Sequence, residues 1–106
     1  MIRARYEADG NTHTLSVDGH AGYDRYGKDI VCAGVSALVQ ALIGWAENHP
    51  YTIDYVSVDD HRGEVLVALE GGEDVAAVCY MTAIGVEQIA RAYPNHVDIE
   101  IIGVAD

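Results

Sequence analysis

Residues 19–34, GHAGYDRYGKDIVCAG, mark the point where the hydrophobic pattern of the chain changes its period. Before this stretch, apolar and polar residues alternate, as they do in a half-buried strand. After it, Val31, Val35 and Leu38 recur at helical spacing, and the pattern continues to about Asn48. The stretch is therefore predicted to be a loop, punctuated by glycines, that leaves a β-hairpin and leads into a helix.

The pattern on either side of this loop predicts the rest of the fold. Strands are predicted at residues 2–8, 12–18, 51–58, 64–69 and 97–101, and a second helix runs from about Val75 to Tyr93. The order is ββαββαβ. It indicates an α/β (α+β) fold, with a mixed, mostly antiparallel sheet and two helices, in a single domain spanning residues 1–106.

Charge and cysteine content restrict the class of protein. The net charge is −11, from 17 acidic and 6 basic residues, so direct binding to nucleic acid phosphates is not expected. Two cysteines and an amino terminus without an apolar run suggest a cytoplasmic protein with reduced thiols. The same reasoning disfavours a disulfide between Cys32 and Cys79, and the helical spacing around Cys79 predicts a core residue.

The longest uncharged run, residues 30–46, contains too few polar side chains to give a helix a wet face. It is shorter than the roughly 20 residues that a membrane span needs, so no membrane contact is predicted. One side of this helix is expected to pack on the sheet. A second subunit is the simplest cover for the other side, which predicts a homodimer.

The position of Cys32 suits a reactive thiol. If Asp29 caps the helix, Cys32 lies in the first turn, where free N–H groups and the helix dipole favour an anion. His20 precedes the loop and could return over the helix start as a base, and Ser36 lies one turn beyond Cys32. These residues also have ordinary interpretations: a buried cysteine, a surface histidine, and a serine bonded to its own helix. His13, His20 and Cys32 lack the spacing of a metal site, so no metal is predicted.

The segments GHA (19–21) and YGKDIVCAGVSAL (26–38) resemble the ribosomal-processing cysteine protease (Prp) family. The motif of that family is a GHA segment, a short variable loop, and G-x-D-[IV]-[VI]-C-A-[AG]-x-S. The resemblance implies a homodimeric cysteine peptidase, which removes a short N-terminal extension from a large-subunit ribosomal protein. No cofactor is expected. It also implies that Cys32 and His20 form the catalytic dyad, that Asp29 and Ser36 support them, and that Gly19 loosens the loop.

The loop itself is expected to be mobile until a substrate binds. Its flexibility is attributed to Gly19, Gly22 and Gly27, and Tyr23 and Tyr26 are candidates to line a substrate groove. Backbone N–H groups at the helix start are candidates for an oxyanion hole. Two other functions stay open at this point: a non-catalytic binding module for ribosome assembly, and a thiol redox-sensing domain.

Overall fold

The computed structural model describes residues 1–104, and its element order is the predicted ββαββαβ. The bounds are β1 Ile2–Asp9, β2 Thr12–Asp18, α1 Ile30–Glu47, β3 Ile53–Asp59, β4 Glu64–Glu70, α2 Glu73–Ala92 and β5 Val97–Ile102. The predicted start of β3 at residue 51 was wrong. Residues Pro50–Thr52 form a short 3₁₀ helix, because the fixed φ of proline suits the first position of a helical turn.

The strands form one sheet in the order β3-β4-β2-β1-β5. The β1–β2, β2–β4 and β3–β4 pairs are antiparallel, whereas β1–β5 is parallel. The prediction of a mixed, mostly antiparallel sheet is therefore confirmed. Because β2 pairs antiparallel with β4, with Val17 opposite Val65 near the start of β4, the loop that leaves β2 begins beside the turn that joins β3 to β4.

The core lies between one face of the sheet and both helices. On β1, Ile2, Ala4 and Tyr6 are buried while Arg3 and Arg5 are exposed, which is the alternation expected for a sheet covered on one face. The two helices contact each other, and α2 also contacts β5, β1 and β2. Cys79, in the middle of α2, is 2% exposed, which confirms its prediction as a core residue.

Helix α1 packs along one side only. Its buried residues, Val31, Val35, Val39, Leu42 and Ala46, follow the helical period and face the core. By length and composition alone, α1 is the one helix within residues 1–104 that could cross a membrane, and 28% of it is buried in the domain. The expected core packing is thus present on one side, and the other side is exposed in this single chain.

Candidate active site

The loop after β2 begins with a glycine that no other residue could replace without strain. Gly19 has a φ of 97°, in the left-handed region that favours glycine. A Cβ at this position would lie 2.5 Å from the Met1 carbonyl oxygen. The Gly19 N–H donates to the carbonyl oxygen of Gly63 at 3.0 Å. The first residue of the loop is therefore held against the β3–β4 turn, and His20 follows it directly in the chain.

Asp29 caps α1 and also holds the loop. Its Oδ1 accepts hydrogen bonds from the N–H groups of Val31 at 3.0 Å and Cys32 at 2.9 Å. Its Oδ2 accepts from the N–H groups of Tyr23 at 3.0 Å and Asp24 at 3.3 Å. Partial burial acts to raise the pKa of Asp29, but these four backbone hydrogen bonds outweigh it, and the pKa is lowered. A carboxylate with both oxygens so occupied is an anchor and is not free to orient His20.

Cys32 is the third residue of α1 and is partly exposed. The backbone N–H of Ala21 donates to its Sγ at 3.2 Å. A donor at the sulfur and a helix N-terminus beneath it both favour negative charge on that atom. The sequence predicted the helix position. The donor from the loop could not be predicted, because it depends on how the loop folds back.

Three N–H groups of the first helical turn are already engaged, which bears on the expected oxyanion hole. Val31 and Cys32 donate to Asp29 Oδ1, and Ala33 donates to the Asp29 carbonyl oxygen at 3.0 Å. These three groups therefore cannot bind a developing oxyanion while the cap is intact. The Ala21 N–H is a backbone donor from the loop, and it points at the Cys32 sulfur.

His20 and Cys32 line one cavity of about 650 Å³. His20 is exposed, and its Nε2 lies 3.5 Å from the carbonyl oxygen of His61 in the β3–β4 turn. Within residues 1–104, no hydrogen bond joins His20 to Cys32. The contact with His61 is longer than the usual range for N–H···O, so it holds the imidazole weakly. The two side chains therefore line the same cavity, but the imidazole of His20 contacts the β3–β4 turn and not Cys32.

The other predicted site residues fall into two groups. Ser36, Gly22, Gly27 and Tyr26 line the same cavity as Cys32, and Tyr26 is 89% exposed. Tyr23 instead packs edge-on against the rings of Tyr93 and His96, with centroids 5.2 and 5.4 Å away.

The loop that was expected to be mobile is tied down in its first half. Asp29 accepts from the backbone of Tyr23 and Asp24, and the Tyr23 ring is packed. Its second half is different. Residues 25–28 are exposed, and Lys28 N–H donates to the Arg25 carbonyl oxygen at 3.0 Å. The loop is therefore held by fewer contacts around Tyr26 and Gly27 than around Tyr23.

Three contributors to this site were missed by sequence reasoning: the His61 carbonyl, Gly63 and His96. His96 Nδ1 lies 2.9 Å from the carbonyl oxygen of Ala21, which is 75 residues away in the chain. His61 is 41 residues from His20. None of the three belongs to a local motif. Only the sheet order, which places the β3–β4 turn and the start of β5 beside the loop, brings them together.

The second cysteine and the remaining buried histidine lie elsewhere. Both cysteines are free, and burial raises the pKa of Cys79 to about 12. His13 is 4% exposed and its Nδ1 lies 2.7 Å from the Tyr6 hydroxyl. His13 is thus engaged in the core under α2, away from His20 and Cys32.

Comparison with known proteins supports one family. A sequence profile of the family described as cysteine protease Prp matches residues 1–98. The chain is 31% identical over 85 residues to the ribosomal processing cysteine protease Prp of Mycoplasma genitalium, covering 80% of this chain and 84% of that protein. It is 32% identical over 95 residues to the protein of the same name from Staphylococcus aureus, covering 84% and 86%.

Solved structures agree on the fold. The chain superimposes on the essential ribosomal processing protease Prp of S. aureus, in complex with a covalently linked product peptide, with a TM-score of 0.82 and 21% identity over 95% of this chain and 99% of that one. A crystal structure from Streptococcus mutans gives a TM-score of 0.77 at 26% identity, over 96% and 94%. With the profile match over nearly its whole length, this chain belongs to the Prp family of cysteine proteases.

Proposed function

We propose that this chain is a cysteine endopeptidase that removes a short N-terminal extension from a large-subunit ribosomal protein, with Cys32 as the nucleophile and His20 as the general base. One observation carries the proposal. The sulfur of Cys32 lies at the start of α1, accepts a hydrogen bond from the Ala21 N–H, and opens into the cavity that His20 also lines. Membership of a family of cysteine proteases gives that thiol its chemistry.

The reaction follows from these two side chains. His20 removes the proton of the Cys32 thiol, and the thiolate attacks the scissile carbonyl carbon. The tetrahedral intermediate collapses to a thioester when the C–N bond breaks, and His20 returns the proton to the leaving amine. Water, deprotonated by His20, then hydrolyses the thioester and restores the thiol. Ser36, which lines the cavity one helical turn from Cys32, is suited to hydrogen-bond the substrate or this water.

The dyad must close before it can react. His20 Nε2 is 3.5 Å from the His61 carbonyl oxygen and makes no bond to Cys32 within residues 1–104. Because the contact with His61 is weak, a bound peptide can draw the imidazole toward the sulfur at little cost. Catalytic hydrogen bonds are often long in ligand-free sites and tighten in the complex.

The charge around the site supports a basic peptide as substrate. Among residues 1–104, every carboxylate or cationic side chain that lines the cavity, apart from His20, is an aspartate: Asp24, Asp29, Asp59 and Asp60. Net charge of −11 adds to this field, and an acidic cleft attracts a positively charged partner. Ribosomal proteins are usually basic at their amino termini. The S. aureus relative has been solved with a substrate peptide and with a covalently linked product peptide.

The exposed side of α1 supports a homodimer. Its solvent-facing positions outside the cavity include Ala37 and Ala41, which are small and uncharged and would pack closely against a second copy. We expect the dimer to work in the cytoplasm, where ribosomal proteins are made, without binding nucleic acid or a membrane.

The test is a cleavage assay on the host's own large-subunit ribosomal protein, with product masses as the readout. We expect the wild type to release an N-terminal fragment and Cys32→Ala to release none while still binding the precursor. Cys79→Ala is the matched control and should still cleave. Binding without cleavage by the wild type would instead favour an assembly factor, and cleavage by Cys32→Ala would rule out the proposed nucleophile.

A further inference from the structure

His96 lies in the turn between α2 and β5, and it is fixed there by its own backbone. Its N–H donates to the Tyr93 carbonyl oxygen at 2.9 Å, and its carbonyl oxygen accepts from the Ile2 N–H at 2.9 Å. The residue is partly buried. Its backbone is therefore held at the start of the parallel β1–β5 pair, and a change of side chain leaves those two bonds in place.

The side chain of His96 reaches the loop that carries His20. Its Nδ1 lies 2.9 Å from the Ala21 carbonyl oxygen. A carbonyl oxygen can only accept, so the proton of this bond is on Nδ1. Ala21 is 2% exposed, and a buried carbonyl left without its donor carries a penalty. The bond is thus an anchor for the one buried residue of the loop.

Ala21 connects this anchor to the sulfur. Its carbonyl oxygen accepts from His96, and its N–H donates to Cys32 Sγ at 3.2 Å. Ala21 also follows His20 directly, so the position of its backbone sets where the imidazole begins. The Tyr23 ring, packed on His96 and Tyr93, holds the next part of the loop on the same corner.

We propose that His96 is a positioning residue for the Cys32–His20 pair. Its Nδ1–H holds the Ala21 backbone in place. As a result, the Ala21 N–H keeps its hydrogen bond to Cys32 Sγ, and the backbone position of His20 is fixed. The effect on catalysis rests on the proposed function, whereas the effect on the reactivity of the Cys32 thiol does not.

Three variants separate the hydrogen bond from the bulk of the ring. His96→Asn places an amide N–H near the position of Nδ1 and can keep the bond to Ala21. His96→Gln carries its amide one bond farther out, near the position of Nε2, and His96→Leu has no donor. Thermal unfolding selects the variants that fold. If His96→Leu does not fold, the comparison of His96→Asn with His96→Gln decides.

The first readout is the rate at which iodoacetamide alkylates Cys32 as a function of pH, followed by peptide mass. Cys79 is buried with its pKa raised to about 12, so the folded protein reports on Cys32. In His96→Gln and His96→Leu we expect the rate near neutral pH to fall roughly five- to ten-fold, the range of one hydrogen bond. His96→Asn should stay close to the wild type.

The second readout is peptide cleavage. We expect kcat to fall by about ten-fold in the two variants without the Nδ1-like donor, because a misplaced base slows chemistry, with little change in KM. Folded Gln and Leu variants that keep the wild-type alkylation curve would overturn the proposal, as would an Asn variant as impaired as Leu. A chain that cleaves no ribosomal protein but shows the alkylation pattern would retain the role of His96 and refute the proposed function alone.

Discussion

The two cysteines of this chain belong to helices that pack on the same face of the sheet, but their surroundings differ in how well they stabilise a negative charge. At the start of α1, the Ala21 N–H meets Cys32 Sγ, and four backbone N–H groups hold the pKa of Asp29 below its ordinary value. In the middle of α2, burial raises the pKa of Cys79 to about 12. At the start of α1 the donor to the sulfur comes from the loop, through the Ala21 N–H, whereas burial in the middle of α2 disfavours a charged thiol.

The other titratable groups packed under α2 are also kept neutral. Burial, together with Cys79 and Tyr80, raises the pKa of Tyr6 to about 12, and burial lowers the pKa of His13. Both shifts favour the neutral group. The same chain thus contains an anionic region around Asp29 and Cys32, and a neutral region around Tyr6, His13 and Cys79. Only the anionic region opens into the cavity of about 650 Å³.

The largest expected effect tests the anionic region through its proposed base. We expect His20→Ala to lower kcat about 10³-fold, in the range that a positioned base contributes, with the fold unchanged because the side chain is exposed. His61→Ala is the control, since His61 contacts His20 through its backbone carbonyl. Kinetics of peptide cleavage check both. Equal losses in the two variants, or none in His20→Ala, would contradict the assignment.

The second-largest effect concerns the contact between Gly63 and Gly19, the residue before His20. In Gly63→Ala, the new Cβ would lie 2.6 Å from the Gly19 carbonyl oxygen and 3.0 Å from His20 Cε1, at a φ of 69°. Gly10→Ala is the matched control, because it has a φ of 60° with nothing within 4 Å. Both should lose about 1–2 kcal/mol of unfolding free energy from the positive φ.

Only Gly63→Ala should also lose activity, by about ten-fold, since its clash displaces His20. Urea unfolding and cleavage kinetics on the pair separate backbone strain from displacement. If Gly10→Ala loses as much activity as Gly63→Ala, the contact between the β3–β4 turn and the loop has no part in catalysis.

The two oxygens of Asp29 can be tested separately. Asp29→Ala removes the helix cap and the loop anchor, and we expect it to cost about 1 kcal/mol of unfolding free energy. Asp29→Asn can keep the bonds that Oδ1 accepts from Val31 and Cys32, but its amide nitrogen cannot accept from Tyr23 and Asp24. Asn should therefore keep most of the stability. Reduced cleavage by a stable Asp29→Asn would assign the loop anchor a catalytic consequence, and full activity would restrict Asp29 to capping.

The smallest effect tests the neutral region. The pKa of His13 is lowered from 6.5 by burial, so the unfolded chain takes up a proton at a higher pH than the folded one. The stability that depends on neutral His13 is present above about pH 6.5 and is lost as the pH falls below it, by at most about 1.4 kcal/mol per pH unit. Urea unfolding between pH 7.5 and 5.5 should show this slope in the wild type and less of it in His13→Asn. Parallel slopes would contradict it.

The features that the sequence predicts correctly are those that depend on residues close together in the chain. The cap by Asp29, the helical position of Cys32 and the core position of Cys79 follow from spacings of a few residues, and the structure agrees with each. The strands were found from their alternation, except that Pro50–Thr52 form a 3₁₀ turn before β3. The contacts of His20 and Ala21 with His61 and His96 span 41 and 75 residues, and no local pattern encodes them.

The measurement that tests the contrast between the two cysteines most directly is partial alkylation with iodoacetamide near neutral pH. In each sample, peptide masses give the labelled fraction of each cysteine, and a cleavage assay gives the remaining activity. We predict that activity falls in proportion to the label on Cys32 while Cys79 stays unlabelled in the folded protein. Full activity after complete labelling of Cys32, or loss of activity that follows the label on Cys79, would contradict the assignment of the nucleophile to the start of α1.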